Sequence, residues 1–565
     1  MDTIDIIAVG VCIAACGGLW WLAEHAERVK SPKWKMFWLC VPVLALLITK
    51  YGPDWSLLPL YIGSVIAMLG FFTAAKKSKQ FLAAAGAVCM LLTYPVCLLN
   101  PYYRAKDYYG DFKKLFGCMR GHYVLTEHKN IDWDALYDKY EPQFRKIQHD
   151  QDAAANALTW GALCGEFHDG HVSYNCSIRD IKANNKAIAD ALGNDYGLSV
   201  MRCTDGSFAA VNVDESLAKY GIRNGTVITS WDGKSPDDVS KSSPIYGSSL
   251  MNVNYSENKI VLRLEAFPDI DNEIFYSGLL CAGIGGDSVN VSCLDENGSE
   301  QTVTLTKLGN YIDRLSETMD ILHKGVNIGN LQWKKLSDSV ACLRIKGMSY
   351  DTKSYNSSDD EAYSEMKDEI RSTILKYQSE GVKDVIIDLR DNNGGSPHMV
   401  NGIVSMFAPK GDHYCCTNGV WDEKKQCWTV DENGNYVKGE EITFKGEDIL
   451  DGGRVIVIVN ANSVSAADMM TKEMESMDNA RVIGFTGPNG SSQAIGVKRV
   501  STGILSFSNC VVLDRDGSIM IDSGADRQSS NGDGVEIIPF DNAAIRELFD
   551  EGNDYLLEKA IEMLS

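Results

Sequence analysis

The sequence predicts an α/β (α+β multidomain) protein: an N-terminal region of four apolar helices, a helical subdomain, a small β domain and an α/β core. Three observations carry this. Four apolar runs fill the first hundred residues, short strand-like runs crowd residues 195–309, and from Ser337 onward apolar strands alternate with helices, as in an α/β layer. The predicted boundaries are 1–100, 101–185, 190–310 and 325–565.

The apolar runs span Ile4 to Ala23, Met36 to Thr49, Leu57 to Ala75 and Phe81 to Leu99. Three of them meet the roughly 20 residues that a bilayer core requires. The second is short, but Lys35 and Lys50 can snorkel outward, and Trp34 and Trp38 suit an interface. Arg28, Lys30, Lys33 and Lys35 lie between the first two runs, and Lys76, Lys77 and Lys79 between the last two. The positive-inside rule puts both loops in the cytoplasm. The expectation is a multi-pass cell-membrane protein with everything after about Asn100 outside the cytoplasm. The acidic start, with no short basic region before the first run, argues against a cleaved signal peptide.

The whole chain of 565 residues carries 54 basic and 76 acidic side chains, a net charge of -22. Nucleic acid is thereby excluded as a main partner, because phosphate binding needs a basic surface. Sixteen cysteines are present. Cys415, Cys416 and Cys427 lie close enough in sequence for one bridge in an oxidising compartment. No Cys/His cluster has zinc spacing, so neither metal nor cofactor is expected.

Residues 101–180 read as helical, with Asp132 as an N-cap and a third helix from Ala153 to Phe167 that Gly170 can stop. Strand-like runs follow at Tyr196–Val200, Phe208–Val213, Val227–Trp231, Lys259–Leu264, Val289–Cys293 and Thr302–Leu305. A short helix from Ser216 and a glycine turn at Gly221–Gly225 give this stretch the order of a PDZ domain, which it resembles. In the core, Val340–Ile345, Asp384–Arg390, Val455–Asn460 and Arg481–Gly487 read as strands and strand ends, Ser358–Ser379 as a long helix, and Tyr414–Asp451 as polar loop.

Two strand-to-helix crossings can hold chemistry, since sites in such sheets gather at the carboxyl ends of strands. At the first, Gly394 and Gly395 let backbone N–H groups face a cleft without side-chain obstruction. At the second, Ser465 stands at a helix start, which suits an N-cap or a nucleophile beside an oxyanion-stabilising dipole.

Taken in order, Asp388-Leu-Arg-Asp-Asn-Asn-Gly-Gly395, Ser465-Ala-Ala-Asp468 and the preceding helical and PDZ-like stretches resemble peptidase family S41, the tail-specific protease family. One branch of that family uses a lysine base in a G-K-G-T-x-Q-like turn. The matching stretch, Gly487 to Gln493, has Asn489 or Gly490 where the lysine belongs. The tricorn-like branch has a D-G-H-V segment, here Asp169 to Val172. The resemblance thus implies Ser465 as nucleophile and His171 as general base, a histidine titrating near neutrality. It also implies an oxyanion hole of Gly394 or Gly395 with Ala466, and Asp388 and Arg390 as a buttressing ion pair. His168, Lys498 and Lys472 are competitors for the base; His122, His128 and His398 have no supporting motif. A third group orienting the histidine is sought near Asn531, with Asp526, Asp533 and Glu536 as nearby carboxylates. The implied function is a membrane-anchored serine endopeptidase acting on protein or peptide substrates. The alternative is an inactive protein of the same fold that binds peptides or apolar ligands.

Overall fold

The computed structural model describes residues 106–254, 259–265, 278–324, 331–350, 359–491, 493–522 and 534–565. The four apolar runs lie outside these residues. Among the described residues no helix is long and apolar enough to cross a membrane.

Helices α1 (Tyr108–His122), α2 (Trp133–Asp150) and α3 (Ala153–Gly165) each begin at an aspartate, Asp107, Asp132 and Asp152, whose carboxylate accepts first-turn N–H groups. They pack through Phe112, Phe144 and Trp160, with the two phenylalanine rings stacked 4.2 Å apart. Helix α3 stops short of Phe167, because His168 turns the chain with φ +45°. Strand β1 (Ser173–Cys176) follows, then α4 (Ile181–Leu192), a helix the sequence reading had not marked.

The β domain holds β2 (Ser199–Arg202) against β3 (Phe208–Val211), and a three-stranded antiparallel sheet of β4 (Ile228–Trp231), β5 (Ser288–Leu294) and β6 (Glu300–Thr306). The 3-10 turn Glu215–Tyr220 ends at Gly221 with φ +72°. The expected strand at Tyr196 begins only at Ser199, since Gly197 takes φ +90° and donates its N–H to Asp195. The apolar core of this domain is completed by Phe540, Ile545 and Leu548, from the far end of the chain. Helix α5 (Tyr311–His323) leads out of it.

The α/β core is a six-stranded sheet, in the order β7 (Leu331–Lys335), β8 (Val340–Ile345), β9 (Asp384–Asp388), β12 (Val455–Ile458), β13 (Ala480–Gly484) and β16 (Val535–Ile537). All neighbours are parallel except β7 with β8. Helices α6 (Asp359–Ser379), α7 (Pro397–Phe407) and α8 (Ala466–Glu475) cover one face, packing on Val385, Ile387, Val455 and Val457. Helix α9 (Tyr555–Leu564) covers the other, on Ile386, Ile456 and Ile458. Burial on both faces explains why these strands are apolar throughout.

Two readings are corrected. Residues 414–451 are not mainly loop: β10 (Gly411–Gly419) and β11 (Lys438–Gly446) pair antiparallel across much of that stretch. Strand β11 is largely solvent-exposed, so its residues carry little apolar signal and its backbone pairing has no composition mark. Cys415, Cys416 and Cys427 are free thiols, the first two buried and the third exposed. Finally, β14 (Ile495–Arg499) and β15 (Gly503–Ser508) form a hairpin on which β1 pairs, with Ser173 opposite Ser506. That pairing brings the early helices to the core.

Candidate active site

Strands β9 and β12 are parallel neighbours, with Asp388 opposite Ile458. Their following loops therefore leave the sheet side by side at its carboxyl edge. The loops are sewn together by hydrogen bonds: Ser463 Oγ donates to the Leu389 carbonyl at 2.8 Å, Val464 N–H to the Asn392 carbonyl at 3.0 Å, and the Asn460 and Asn462 amides to Asp391 Oδ1 at 3.1 and 3.0 Å. Burial pulls the Asp391 carboxyl up. The His323 imidazole, 2.9 Å away at the end of α5, and the two amides hold it well below the usual carboxylate range.

Ser465 opens α8 with φ +65° and ψ -116°. A plain N-cap serine takes an extended backbone, and a non-glycine residue held at positive φ is a recognised mark of a functional turn. Two acceptors hold its N–H: Asp468 Oδ2 at 2.6 Å and the Ser491 carbonyl at 3.0 Å. Gly394 packs directly against it. A Cβ on Gly394 would stand 2.6 Å from Ser465 Cβ and 2.9 Å from Ala466 N. The Gly394 N–H is donated to Asn392 Oδ1 at 2.9 Å. Among the described residues no acceptor takes the N–H of Gly395 or of Ala466.

Asp388 and Arg390 form the expected ion pair, which extends further. The buried Arg390 guanidinium reaches Asp388 Oδ2 and Asp554 Oδ2, both at 2.7 Å, and so ties the loop after β9 to the start of α9. Burial works against both charges, but the ion pairing keeps the guanidinium pKa well up and the Asp554 carboxyl down.

The structure brings the D-G-H-V turn to the same place. Gly170 N–H donates to Ser491 Oγ at 2.9 Å, and the Ser491 carbonyl accepts the Ser465 N–H. One residue thus bridges the turn that carries His171 and the backbone of Ser465. His171 is buried, with 8% of its surface exposed. Asn489, which with Gly490 is a candidate for the place of the other branch's lysine, packs its amide oxygen onto the α-carbon of Gly170 and donates from Nδ2 to the Ala461 carbonyl at 3.3 Å. A neutral amide therefore fills that space. Ahead of His171, Asp169 is fully buried. Its Oδ1 accepts the His171 N–H at 2.8 Å, and its Oδ2 accepts the hydroxyls of Ser508 and Tyr123 at 2.8 and 3.1 Å.

Among the other candidate bases, the two lysines stand in surface positions. Lys472 is ion-paired with Asp514 and Lys498 is exposed on β14, while His398, which no motif supports, lies 4.4 Å from the tilted Tyr363 ring. His168 gives its carbonyl to Lys129. Glu536 is exposed and paired with Arg481. Asn531, Asp526 and Asp533 lie outside the described residues. Among the described residues no group of three His, Cys, Asp or Glu side chains can hold a metal.

Sequence reasoning missed Asn392, Asp468 and Ser491 as organisers of the site. Asp468 carried a signal, since Ser-x-x-Asp is a capping-box spacing. Its carboxylate also accepts the Gly490 and Ser491 N–H groups at 2.8 and 3.3 Å, which no local pattern announces.

Residues 339–524 match the model of peptidase family S41, and residues 104–155 match that of the tricorn protease C1 domain. A probable CtpA-like serine protease of Staphylococcus aureus is 25% identical over 209 residues, which are 36% of this chain and 35% of the relative. The chain thus matches about a third of the length of the curated relatives. Mature CPAF complexed with lactacystin is similar in fold, with a TM-score of 0.50, 13% identity, and coverage of 81% of this chain and 98% of that one. A putative peptidase from Parabacteroides merdae aligns at a TM-score of 0.41 and 14% identity, over 81% of this chain and 97% of that one. By its core, residues 339–524, and by the order in which its motifs meet at one sheet edge, the chain is similar to peptidase family S41.

Proposed function

We propose that the chain is a membrane-anchored serine endopeptidase that hydrolyses peptide bonds outside the cytoplasm. Ser465 is the nucleophile and His171 the general base. The observation that carries this reading is the positive-φ serine at the carboxyl end of β12, reached by the D-G-H-V turn through Ser491.

Ser465 Oγ attacks the scissile carbonyl as His171 takes its proton. The tetrahedral oxyanion is held by the N–H groups of Gly395 and Ala466; Gly394 serves as the close-packed floor, its own N–H being given to Asn392. His171 then protonates the leaving amine, and water releases the acyl group. The CtpA-like relative is named a serine protease, which agrees with this chemistry. Anchoring and orientation rest on the four apolar runs and their lysine-rich loops.

The test is hydrolysis of unstructured peptides by the full chain, with a serine-directed covalent probe. The wild type is expected to cleave and to label at Ser465. Ser465→Ala abolishes both, and His171→Ala lowers kcat by about 10²- to 10⁴-fold. A wild-type chain that binds peptides or apolar ligands but neither cleaves nor labels would establish the binding-protein alternative. A fully active His171→Ala would move the base elsewhere.

A further inference from the structure

In this family reading the histidine needs a group that fixes its ring and supports the cation it becomes. Glu536, the described candidate near the C-terminal end, is turned to solvent and paired with Arg481. The D-G-H-V turn itself contains a carboxylate with a different geometry. Asp169 is two residues before His171 and fully buried. Its Oδ1 closes a turn onto the His171 N–H at 2.8 Å. Its Oδ2 is pinned by Ser508 on β15, the strand that also pairs with the residues after His171, and by Tyr123 after α1. The carboxylate therefore joins the turn to two elements that are distant in sequence.

We propose that Asp169 is the positioning residue of His171: its carboxylate locks the turn that presents the imidazole, and its negative charge supports the imidazolium formed when Ser465 is deprotonated. The proposal rests on the peptidase reading above. The charge is available at neutral pH. Burial pulls the Asp169 carboxyl up, but the attraction of His171 and Lys129, with the hydrogen bonds from His171 N–H and Ser508, brings it below its ordinary range. A fixed anion in a dry surrounding acts on a neighbouring cation far more strongly than one in water.

The other titratable and charged groups around the turn belong to several elements. Lys129, between α1 and α2, is buried, ion-paired with Asp522, and donates to the His168 carbonyl at 3.1 Å. His128 lies 3.7 Å from Asp522 Oδ1. Tyr123 faces Asp169 itself, His168 sits in the same turn, and Asp468 lies beyond Ser491. Asp522 pairs with Lys129, whose charge also acts on Asp169.

The experiment compares Asp169→Asn, which keeps the shape and an acceptor oxygen but removes the charge, with Ser508→Ala, which disturbs the same packing and keeps the charge. Two readouts are taken on the full chain: the pH profile of kcat/KM, and the His171 ring titration by NMR in the Ser465→Ala background, assigned by loss of the signal in His171→Gln. Asp169→Asn is expected to lower the His171 midpoint by about one to two pH units. The acidic limb of kcat/KM moves down with it, and kcat falls about tenfold to a hundredfold. Ser508→Ala leaves the midpoint within about 0.3 unit. Asp169→Glu, which restores the charge, recovers the wild-type midpoint. An unchanged midpoint in Asp169→Asn overturns the proposal, whatever the activity; so does an equal shift in Ser508→Ala. Because the titration needs no turnover, a chain that does not cleave peptides while its midpoint still shifts refutes the peptidase reading alone.

Discussion

Ser465 and Gly394 hold each other in backbone conformations that ordinary residues avoid, at φ +65° and +80°. A Cβ on Gly394 would meet Ser465 Cβ and the Val464 and Ala466 backbone, none of which is a flexible side-chain end that can move aside. Gly394→Ala is expected to push α8 and the Ser465 peptide off the glycine loop. Stability should fall by about 1–3 kcal/mol and labelling of Ser465 by about a hundredfold. Thermal melting and probe kinetics check this, and a variant that labels at the wild-type rate would mean that the close packing is not required. At this scale the motifs were legible, because Gly-Gly, Ser465 and D-G-H-V advertise unusual backbone or chemistry within a few residues. Ser491 was not legible: the hydrogen bond it accepts from Gly170 joins positions 321 residues apart.

Helix α8 carries the proposed nucleophile at one end and, two turns on, a buried carboxylic acid. Glu473 is 3% exposed, accepts from the Cys415 thiol at 2.9 Å, and among the described residues its Oε2 has no hydrogen-bond partner. Burial raises its pKa from 4.5 to about 7, with the thiol hydrogen bond a smaller opposing effect. The folded pKa exceeds the unfolded one, so this group's contribution to stability is full below about pH 4.5 and is lost as pH rises through about 7. Glutamine mimics the protonated acid. Glu473→Gln is therefore expected to melt like the wild type at pH 4 and to be more stable by about 1–3 kcal/mol at pH 8. Equal melting at both pH values would mean that Glu473 is not held neutral. The doubly buried strands were legible as elements because their apolar runs follow from burial on two faces. The solvent-exposed β11 was not, since its ladder is made by backbone groups that every residue has.

Over the whole molecule, the units read from the sequence share their cores. Phe540, Ile545 and Leu548 finish the β domain, Leu505 and Phe507 pack with the early helices, and Arg390 clasps Asp554 on the last helix. The site is thus assembled from segments around 170, 390, 465 and 490. The proposed orientation has its own check. Cys427 is an exposed thiol of the large C-terminal part. A membrane-impermeant maleimide is expected to label it in intact cells, and Cys427→Ser to remove that signal. A cysteine placed at Lys77 should react only after permeabilisation, and the opposite pattern would reverse the orientation.

Composition, charge asymmetry, apolar periodicity and the ordered motifs are properties of the chain read in line. They sufficed for the α/β class, the resemblance to the family and the pair Ser465 and His171 as candidates. Which N–H groups near Ser465 lack an acceptor among the described residues, that Asn489 packs against Gly170, and that Asp169 is sealed beside His171 all depend on hydrogen bonds and packing between distant segments. Such contacts form only when burial of the shared cores brings those segments together, and no local pattern of residues encodes them.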